Sequence, residues 1–451
     1  MNIIVVGCGK VGRTLVEQLS TQNHNLVIID EREEKINKVT DEIDAKGIIG
    51  NGVSNQVLLE AGIKQAHLLI AVTGSDEQNL LCCVIAKKTG RCKTIARVRN
   101  PIYFDDISFI REELGLSMII NPELTCANEI ARLFQFPSAV KIETFSKGRI
   151  ELLHFNITAD CGLNNLELMH VRSKFNSDVL VCMVKRDDEL IIPRGDFVFR
   201  EGDVAAIVST PANASAFFKK IGINTNRINT VMLIGAGTLS YYLARRLLSV
   251  GIQTKILDMD PVRCEQISEQ LPKATVICGD VTDQKVLLQE GLPAVNGFAA
   301  LTGLDEENIL LSLYAKSVSQ AKCVTKINRT SFSSVLSGIH LDTITYPILL
   351  TADTISKFVR SMDASPNSNV ENLYQLEGGL AEALEFYIKE ESAVTGVPLG
   401  KLKLKKNVLV CCITRGRQFI IPRGHDELQV GDLVIVVTRS GIHDISDILE
   451  K

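Results

Sequence analysis

The chain has 451 residues, 45% of them hydrophobic, which is enough for several globular cores. Its formal net charge of −4 excludes an overall positive field, so we expect no nucleic-acid partner. The sequence contains no apolar run of the roughly 18 residues that a membrane span needs, and no signal peptide precedes the first strand pattern. We therefore expect a cytoplasmic protein, and any connection to a membrane must run through a partner.

The first 122 residues alternate short apolar runs with amphipathic segments, which predicts an α/β, Rossmann-like, doubly wound parallel sheet. The predicted strands read IIVVG, LVIID, KGIIG, HLLIAV, TIARV and LSMII. The predicted helices begin near Lys10, Glu33, Asn55, Asp76 and Tyr103.

A glycine-rich loop follows the first predicted strand, with the pattern Gly7-x-Gly9-x-x-Gly12, and Asp30 closes the second strand. Glycines in this pattern permit a tight turn, a close approach of the backbone to phosphate, and close packing of helix on strand. The helix N-terminus then faces the phosphates, and Asp30 accepts hydrogen bonds from ribose hydroxyls. The acid favours NAD over NADP, although nearby Arg32 weakens that preference. The alternative is a turn that needs glycine for structural reasons only. The predicted loop residues are Gly7, Cys8, Gly9, Lys10, Val11 and Gly12.

Further candidates lie where later strands end, at the edge of the sheet where this fold binds ligands. Thr73 and Gly74 either contact phosphate or ribose or belong to the N-cap region of the helix that starts at Asp76. Arg97 and Lys10 either supply cations to the phosphates or are solvated charges.

Residues 137–221 show a different pattern, in which VLVCMVKRDDELIIPRG is typical of a β-hairpin. We interpret this stretch as a small α+β regulatory domain.

The whole arrangement then recurs. GNGVSNQVLLEAGI returns as GDVTDQKVLLQEGL, AVTGSDEQNLL as ALTGLDEENIL, and IIPRG occurs at Ile191–Gly195 and Ile420–Gly424. Equivalent positions are separated by 228 or 229 residues throughout. The sequence therefore predicts a tandem duplication, with domains at 1–122, 137–221, 228–350 and 368–451.

The second copy keeps a modified fingerprint, Gly235-x-Gly237-x-x-Ser240. Asp258 occupies the ribose-binding position, with Asp260 as a competitor, and Thr302 and Lys326 repeat Thr73 and Arg97. This half is either a second nucleotide site or a relic that retains only the fold.

The sequence offers few candidate catalytic residues. His154 and His170 have no histidine at the equivalent positions of the second half, and His425 replaces Asp196. The 12 cysteines form no C-x-x-C pair and no zinc pattern, so we expect most of them to be small buried hydrophobes rather than redox or metal residues. A duplicated binding unit without catalytic groups indicates sensing rather than catalysis. The alternatives are an NAD-dependent oxidoreductase or a nucleotide-sensing scaffold without a membrane partner.

A Rossmann unit joined to a small hairpin module, twice in one chain, resembles the RCK (regulator of potassium conductance) family. The two-copy form is similar to the peripheral subunits of Trk potassium uptake systems. The residues that carry this resemblance include the Gly7–Gly12 loop with Asp30, ARVRNP from Ala96 to Pro101, and the Gly-Asp pairs before the last strand of each hairpin module.

The resemblance implies binding of NAD(H), with ATP or ADP as further ligands, and a homotetrameric ring beneath a Trk-type membrane subunit. Asn51 stands where the second half keeps the more usual acid, Asp280. The positions that match the family pattern are Gly7, Gly9, Lys10, Gly12, Asp30, Asn51, Thr73, Arg97, Gly235, Gly237, Asp258, Asp280, Thr302 and Lys326.

Overall fold

The structure is a computed structural model of the chain. It describes residues 1–104, 106–145, 150–187, 189–223, 228–329, 336, 338–339, 341–363, 370–377, 380–416, 418–439, 441–442 and 444–450. The chain forms two compact units, and each half of the duplicated sequence contributes to both. Unit 1 comprises Met1–Ala131 and Ile228–Ser356, and unit 2 comprises Arg132–Arg227 and Lys357–Lys451.

The first part of unit 1 is a Rossmann-like domain with a six-stranded parallel sheet in the order β3-β2-β1-β4-β5-β6. Its strands are β1 (Asn2–Val6), β2 (Asn25–Asp30), β3 (Lys46–Ile49), β4 (Leu68–Ala71), β5 (Lys93–Arg97) and β6 (Met118–Ile120). Its helices are α1 (Lys10–Ser20), α2 (Glu33–Thr40), α3 (Asn55–Glu60), α4 (Asp76–Gly90), α5 (Ile107–Glu113) and α6 (Pro122–Gln135). The strand order reverses between β1 and β4, so their carboxyl ends flank the crevice in which this fold binds ligands.

The helix predicted to begin near Tyr103 starts later. A 3-10 turn covers Pro101–Tyr103, and α5 begins at Ile107. The side chain of Asn100 accepts a hydrogen bond from the Ile102 amide, which closes this turn before the helix starts. Helix α6 is an addition to the predicted elements, since most of it lies between the predicted domains 1–122 and 137–221.

The first small module is an antiparallel sheet in the order β10-β9-β11-β8-β7. Its strands are β7 (Lys141–Phe145), β8 (Ile150–Asn156), β9 (Leu180–Arg186), β10 (Glu189–Ile191) and β11 (Val204–Ser209). Its helices are α7 (Leu168–Phe175) and α8 (Pro211–Lys220). The predicted hairpin is the β9–β10 pair.

The second Rossmann-like domain repeats the first, in the order β14-β13-β12-β15-β16-β17. Its strands are β12 (Thr230–Ile234), β13 (Gln253–Asp258), β14 (Thr275–Cys278), β15 (Gly297–Ala300), β16 (Lys322–Lys326) and β17 (Thr343–Thr345). Its helices include α9 (Thr238–Ser249), α10 (Pro261–Gln270), α11 (Gln284–Gln289), α12 (Asp305–Val318) and α13 (Pro347–Asp363).

The second small module has the order β18-β19-β22-β20-β21, which matches the first strand for strand. Its strands are β18 (Val370–Leu376), β19 (Ala381–Tyr387), β20 (Val408–Arg415), β21 (Gln418–Ile420) and β22 (Leu433–Thr438). The duplication read from the sequence is therefore a duplication of topology.

Within each unit the two copies pack on one another. In unit 2 one apolar cluster contains residues of both modules, among them Phe145, Cys182, Leu376 and Cys411. In unit 1 the Tyr242 hydroxyl donates to the Arg99 carbonyl over 3.0 Å. Eleven of the twelve cysteines are buried, as expected from their place in apolar patterns. Among the described residues, no helix has the length and hydropathy of a membrane span.

Candidate nucleotide-binding sites

The first glycine of the loop forms the turn that ends β1. Gly7 has a φ of +103°, a region that disfavours residues with a side chain, and its amide donates to the Ile29 carbonyl over 2.7 Å. A Cβ at this position would lie 2.9 Å from the Thr73 amide nitrogen. The ends of β1, β2 and β4 thus meet at one point, and only glycine lets them approach so closely.

The other two glycines of the loop have different surroundings. A Cβ on Gly12 would lie 1.9 Å from the Gly7 carbonyl oxygen, so α1 packs directly on the turn. Gly9 is the N-cap of α1, and a Cβ there would meet nothing within 4 Å. This open space in front of a helix N-terminus is where a phosphate group fits the fold.

Asp30 fixes the shape of the loop. Its Oδ2 accepts from the Cys8 amide over 2.7 Å, and its Oδ1 accepts from the Arg32 amide over 3.0 Å. The Lys35 ammonium lies 3.6 Å from Oδ2. Each carboxylate oxygen retains acceptor capacity after these bonds, which the predicted contact to ribose requires.

A buried asparagine organises the neighbouring strand ends. Asn79 is 0% exposed; its Oδ1 accepts from the Thr73 amide over 2.8 Å, and its Nδ2 donates to the Arg97 carbonyl over 2.9 Å. The Thr73 hydroxyl also donates to Asn79, over 2.7 Å. Ser75, which accepts from the Gln78 amide over 3.2 Å, is the N-cap of α4. Of the two roles predicted for Thr73, capping therefore belongs to Ser75.

Arg97 reaches across the sheet edge, and its guanidinium donates to the Thr73 carbonyl. Burial lowers the pKa of Arg97, and the nearby charge of Arg99 lowers it further. Its buried Nε has no hydrogen-bond partner among the described residues. A cation held in this way, partly desolvated and beside a second cation, favours an anionic ligand.

These groups line one cavity of about 490 Å³, a size typical of small-molecule sites. The predicted residues that line it are Gly7, Gly9, Lys10, Val11, Asp30, Thr73, Gly74 and Arg97. Three predicted residues, Cys8, Gly12 and Asn51, do not line the cavity. Cys8 and Gly12 instead help to form the loop, through the hydrogen bond of the Cys8 amide to Asp30 and the close packing of Gly12 on Gly7. Lining residues that the sequence reading missed include Lys35, Gln78, Pro122, Glu123, Asn328, Pro347 and Ile348.

Some of the missed residues had a signal in the sequence. Pro122 and Pro347 are each the first residue of a helix that follows the last strand of its sheet, so both lie at the carboxyl edge. Glu123 follows Pro122, and burial raises the pKa of its carboxyl. Asn328 comes from the second Rossmann-like domain, and no local pattern places it in the first site.

Asn51 and Asp280 each shape a turn after the third strand of their sheet. Asn51 Oδ1 accepts from the Val53 amide over 2.9 Å, and Asp280 Oδ1 accepts from the Thr282 amide over 2.9 Å. A second hydrogen bond, from the Thr282 hydroxyl, lowers the pKa of Asp280 together with this one. Asn51 and Asp280 therefore differ in charge but stabilise the same kind of turn.

The second fingerprint keeps the geometry of the first. Gly235 has a φ of +101°, and Asp258 accepts from the Ala236 amide over 2.6 Å, as Asp30 does from Cys8. Asp260 is the N-cap of α10 and accepts from the Val262 amide over 2.9 Å. Asp258 therefore occupies the position that Asp30 has in the first copy, at the end of the strand, whereas Asp260 caps the following helix.

The serine of the second fingerprint is accommodated by a hydrogen bond. Ser240 is 0% exposed, and its hydroxyl donates to the Gly235 carbonyl, the atom that a Cβ on Gly12 would strike in the first copy. Gly237, like Gly9, is a helix N-cap with open space beside it.

The strand ends of the second copy also repeat those of the first. The Thr302 amide donates to Asn308 Oδ1 over 2.9 Å, and Asn308 Nδ2 donates to the Lys326 carbonyl over 3.0 Å. The Lys326 ammonium donates to the Leu301 carbonyl over 3.0 Å, and burial lowers its pKa. The sequence reading did not assign Asn79 or Asn308, although both stand in the repeated segment that it identified.

Comparison with known proteins agrees with this architecture. Residues 3–122 and 231–347 match the model of the TrkA-N domain, and residues 152–222 and 383–450 match that of the TrkA-C domain. The chain belongs to the TrkA family.

Its TrkA-type relatives match over nearly their whole length. A Trk system potassium uptake protein TrkA homolog 1 of Methanosarcina mazei is 32% identical over 444 residues, which covers 97% of each chain. A TrkA homolog of Archaeoglobus fulgidus is 31% identical, also with 97% of each chain covered. Both are potassium uptake proteins by name.

Solved structures show the same fold at lower identity. The GsuK RCK domain superposes with a TM-score of 0.64 at 18% identity, covering 97% of this chain and 92% of that one. The GsuK channel bound to NAD gives a TM-score of 0.63 at 16% identity, covering 97% and 76%. The TrkA-type chain described here therefore has the RCK fold, as its sequence predicted.

Proposed function

We propose that this chain is a nucleotide-binding regulatory subunit of a Trk-type potassium uptake system, without catalytic activity of its own. The observation that carries the proposal is the cavity at the carboxyl edge of the first sheet. There the glycine loop, a helix N-terminus, Asp30 and Arg97 converge on a space of nucleotide size. The TrkA-type relatives, which are potassium uptake proteins, supply the physiological context.

The first site favours a ligand with phosphate groups. Its cavity is lined by four cations, Lys10, Arg32, Lys35 and Arg97, and by three carboxylates, Asp30, Glu31 and Glu123. The equivalent positions of the second copy hold Thr238, Asp260, Arg263 and Lys326. The first site therefore presents four cations to phosphate groups where the second presents two. In each copy one cation pairs with a carboxylate: Lys35 with Asp30 at 3.6 Å, and Arg263 with Asp260 at 3.2 Å. We therefore assign the tighter hold on phosphate groups to the first copy.

NAD(H) is the ligand that the residues of the first site fit best. A carboxylate at Asp30 suits a free ribose hydroxyl and repels a 2′-phosphate, and the GsuK channel has been solved with NAD bound. ADP and ATP share the adenosine and phosphate groups that the same loop would hold. They differ by one charged phosphate, which the cations of the cavity would sense.

The regulatory mechanism that we propose is linkage. Four chains form a ring on the cytoplasmic face of the membrane subunit, and a nucleotide that binds one ring conformation better than another shifts the population toward it. A difference in binding free energy of about 1–3 kcal/mol between the two conformations is enough for a useful bias. The membrane subunit then responds to the conformation and not to the nucleotide itself.

Rubidium-tracer flux through a Trk-type membrane subunit, reconstituted in liposomes with and without this chain, tests the proposal. We expect the chain to change the flux, and NADH, ADP and ATP to change it to different extents. Asp30→Ala should abolish the nucleotide effect while leaving binding to the membrane subunit intact. Flux that never responds to the chain, or that responds identically with and without nucleotide, would contradict the proposal.

A further inference from the structure

Two cysteines of the second Rossmann-like domain lie together beside the strand end that carries Asp258. Cys264 is on α10, and its Sγ lies 3.4 Å from the Asp258 carbonyl oxygen and 3.8 Å from that of Ile277. Cys278 follows Ile277 on β14 and is the register partner of Asp258 in the neighbouring strand. The Cys264 sulfur therefore lies beside the backbone of Cys278.

The two thiols lie on neighbouring backbone positions and differ in exposure. The Cys264 sulfur lies 3.8 Å from the Ile277 carbonyl oxygen, in the peptide group that joins Ile277 to Cys278. Cys264 is 6% exposed, whereas Cys278, on an edge strand, is exposed. The pair thus combines one thiol that solvent reaches with one that solvent does not reach.

The first Rossmann-like domain shows that the fold does not need sulfur here. Its equivalent residues are Ile36, 4% exposed on α2, and Ile49, 54% exposed at the end of β3. The same pattern of burial is therefore met by an apolar pair in one copy and by two thiols in the other. Because isoleucine fills both positions in the first copy, packing does not require cysteine there. The two thiols of the second copy therefore add chemical reactivity.

We infer that Cys264 and Cys278 form a dithiol site that closes to a disulfide when a hydroperoxide reaches Cys278. The Cys278 thiol loses its proton and its sulfur attacks the peroxide; the O–O bond breaks, the sulfur becomes a sulfenic acid, and the other oxygen takes up a proton and leaves as water or an alcohol. The Cys264 sulfur then attacks the sulfenic sulfur, the S–S bond forms as the S–O bond breaks, and the sulfenic hydroxyl leaves as water with the proton of the Cys264 thiol. Two thiols are oxidised and one hydroperoxide is reduced.

The surroundings assign different roles to the two sulfurs. Burial, together with the neighbouring Cys278, raises the pKa of Cys264 to about 11, so this thiol is protonated near neutral pH and is the weaker nucleophile toward a peroxide in solution. Attack on the peroxide therefore belongs to the exposed Cys278, and Cys264 resolves the intermediate. The disulfide would pin α10 to the edge strand β14, next to the loop that holds Asp258.

Peptide mass spectrometry tests the inference directly. The full chain is treated with about one equivalent of hydrogen peroxide, the remaining thiols are alkylated under denaturing conditions, and the protein is cleaved with trypsin. Cleavage at Arg263, Lys273 and Lys285 separates the two cysteines into peptides 264–273 and 274–285. We expect these peptides to be recovered joined by a disulfide, and separate again after reduction.

Two variants and an internal control make the test specific. In Cys264→Ser the sulfenic acid should persist at Cys278 and be trapped by dimedone, whereas in Cys278→Ser residue 264 should stay reduced. Cys182 and Cys411 belong to one apolar cluster but are both 0% exposed, so that pair should stay reduced at the same dose. Peptides 264–273 and 274–285 recovered fully alkylated, or Cys278 oxidised without a link in the unaltered chain, would overturn the inference. Neither outcome depends on whether the chain binds nucleotide.

Discussion

At the scale of single residues, the two copies solve one steric problem in two ways. In the first copy α1 lies so close to the glycine turn that no side chain fits at Gly12. In the second, Ser240 fits because its hydroxyl bonds to the Gly235 carbonyl. The turn of the second copy has therefore adapted to a side chain, while that of the first has not.

This difference predicts unequal effects of reciprocal substitutions. Gly12→Ser should displace the start of α1 from the turn and weaken nucleotide binding at the first site at least tenfold, because the helix N-terminus no longer faces the phosphate. Ser240→Gly should leave the second domain folded. Calorimetric titration and thermal unfolding of both variants measure the two effects. Equal nucleotide affinity of Gly12→Ser and the unaltered chain would contradict the steric argument.

The sequence predicted those residues of the sites that belong to a local pattern. The glycine loop and Asp30 follow from fixed spacings along one βαβ unit, and Thr73 follows from its place after the fourth predicted strand. Asn79 was visible in the repeated segment, but its role depends on three strand ends meeting, which no spacing encodes. Asn328 and Ile348 enter the first cavity from the other copy, so only the packing of the two copies could reveal them.

At the scale of elements, each small module contains one ion pair between a strand and a tight turn. Arg186 on β9 donates two hydrogen bonds to the carboxylate of Asp203, at 2.7 and 2.8 Å, and Asp203 is 1% exposed. Arg415 and Asp432 repeat this pair at 2.8 and 2.9 Å. The Gly-Asp pairs seen in the sequence are thus the acidic half of a bidentate pair that closes each module.

We predict that Asp203→Ala destabilises unit 2 by about 3 kcal/mol or more, because the Arg186 guanidinium loses its buried partner. Arg186→Lys should cost less, since it keeps the charge but loses the paired geometry. Hydrogen–deuterium exchange of β9 and β11 measures the local loss. The matched substitutions Asp432→Ala and Arg415→Lys should speed exchange in β20 and β22 in the same order, with the larger effect for Asp432→Ala. Exchange in Asp203→Ala no faster than in Arg186→Lys would show that the pair is unimportant.

A charged cluster between the small modules predicts a dependence of stability on pH. Burial alone would raise the pKa of Glu143, but a 2.9 Å hydrogen bond with His154 and the charge of Lys141 outweigh it and lower the pKa to about 2. Glu377 faces the same cluster, 3.3 Å from Lys141. A depressed carboxylate pKa stabilises the folded state fully above the ordinary value of 4.5 and loses that contribution as the pH falls toward 2.

Denaturant unfolding between pH 5 and 2 checks this expectation. The free energy of unfolding of unit 2 should fall across that window, and Glu143→Gln should flatten the fall because it removes the titrating group. Glu189→Gln, at an exposed glutamate of β10, is the control and should leave the slope unchanged. An identical slope in Glu143→Gln and the unaltered chain would refute the assignment.

At the scale of the whole molecule, tandem duplication places equivalent surfaces on both Rossmann-like domains. Leu81 on α4 and Leu310 on α12 are equivalent residues, 51% and 67% exposed in one chain. Exposed leucines at matching sites on two similar domains fit a ring in which these helices meet neighbouring chains. The sequence predicted the duplication and the fold of each part. It did not predict that like domains pair into units, because pairing depends on surfaces that the pattern of each half does not show.

We predict that Leu81→Asp and Leu310→Asp together reduce the proposed tetramer to a smaller species, because each places a charge on a surface that we expect to form an apolar contact. Lys88→Ala, at an exposed polar position of α4, should leave the assembly unchanged. Sedimentation velocity distinguishes the species. A double variant of the same mass as the unaltered chain would exclude these helices from the ring contacts.

Calorimetric titration with NADH, NAD, ADP and ATP tests the central claim of nucleotide binding most directly, with the unaltered chain compared with Asp30→Ala and Asp258→Ala. We expect Asp30→Ala to lose nucleotide binding at the first copy, because the loop amide of Cys8 loses its acceptor. Asp258→Ala should retain that binding and lose only what the second copy contributes. If both variants fold and bind every nucleotide as the unaltered chain does, the glycine loops and their acids are not nucleotide-binding sites.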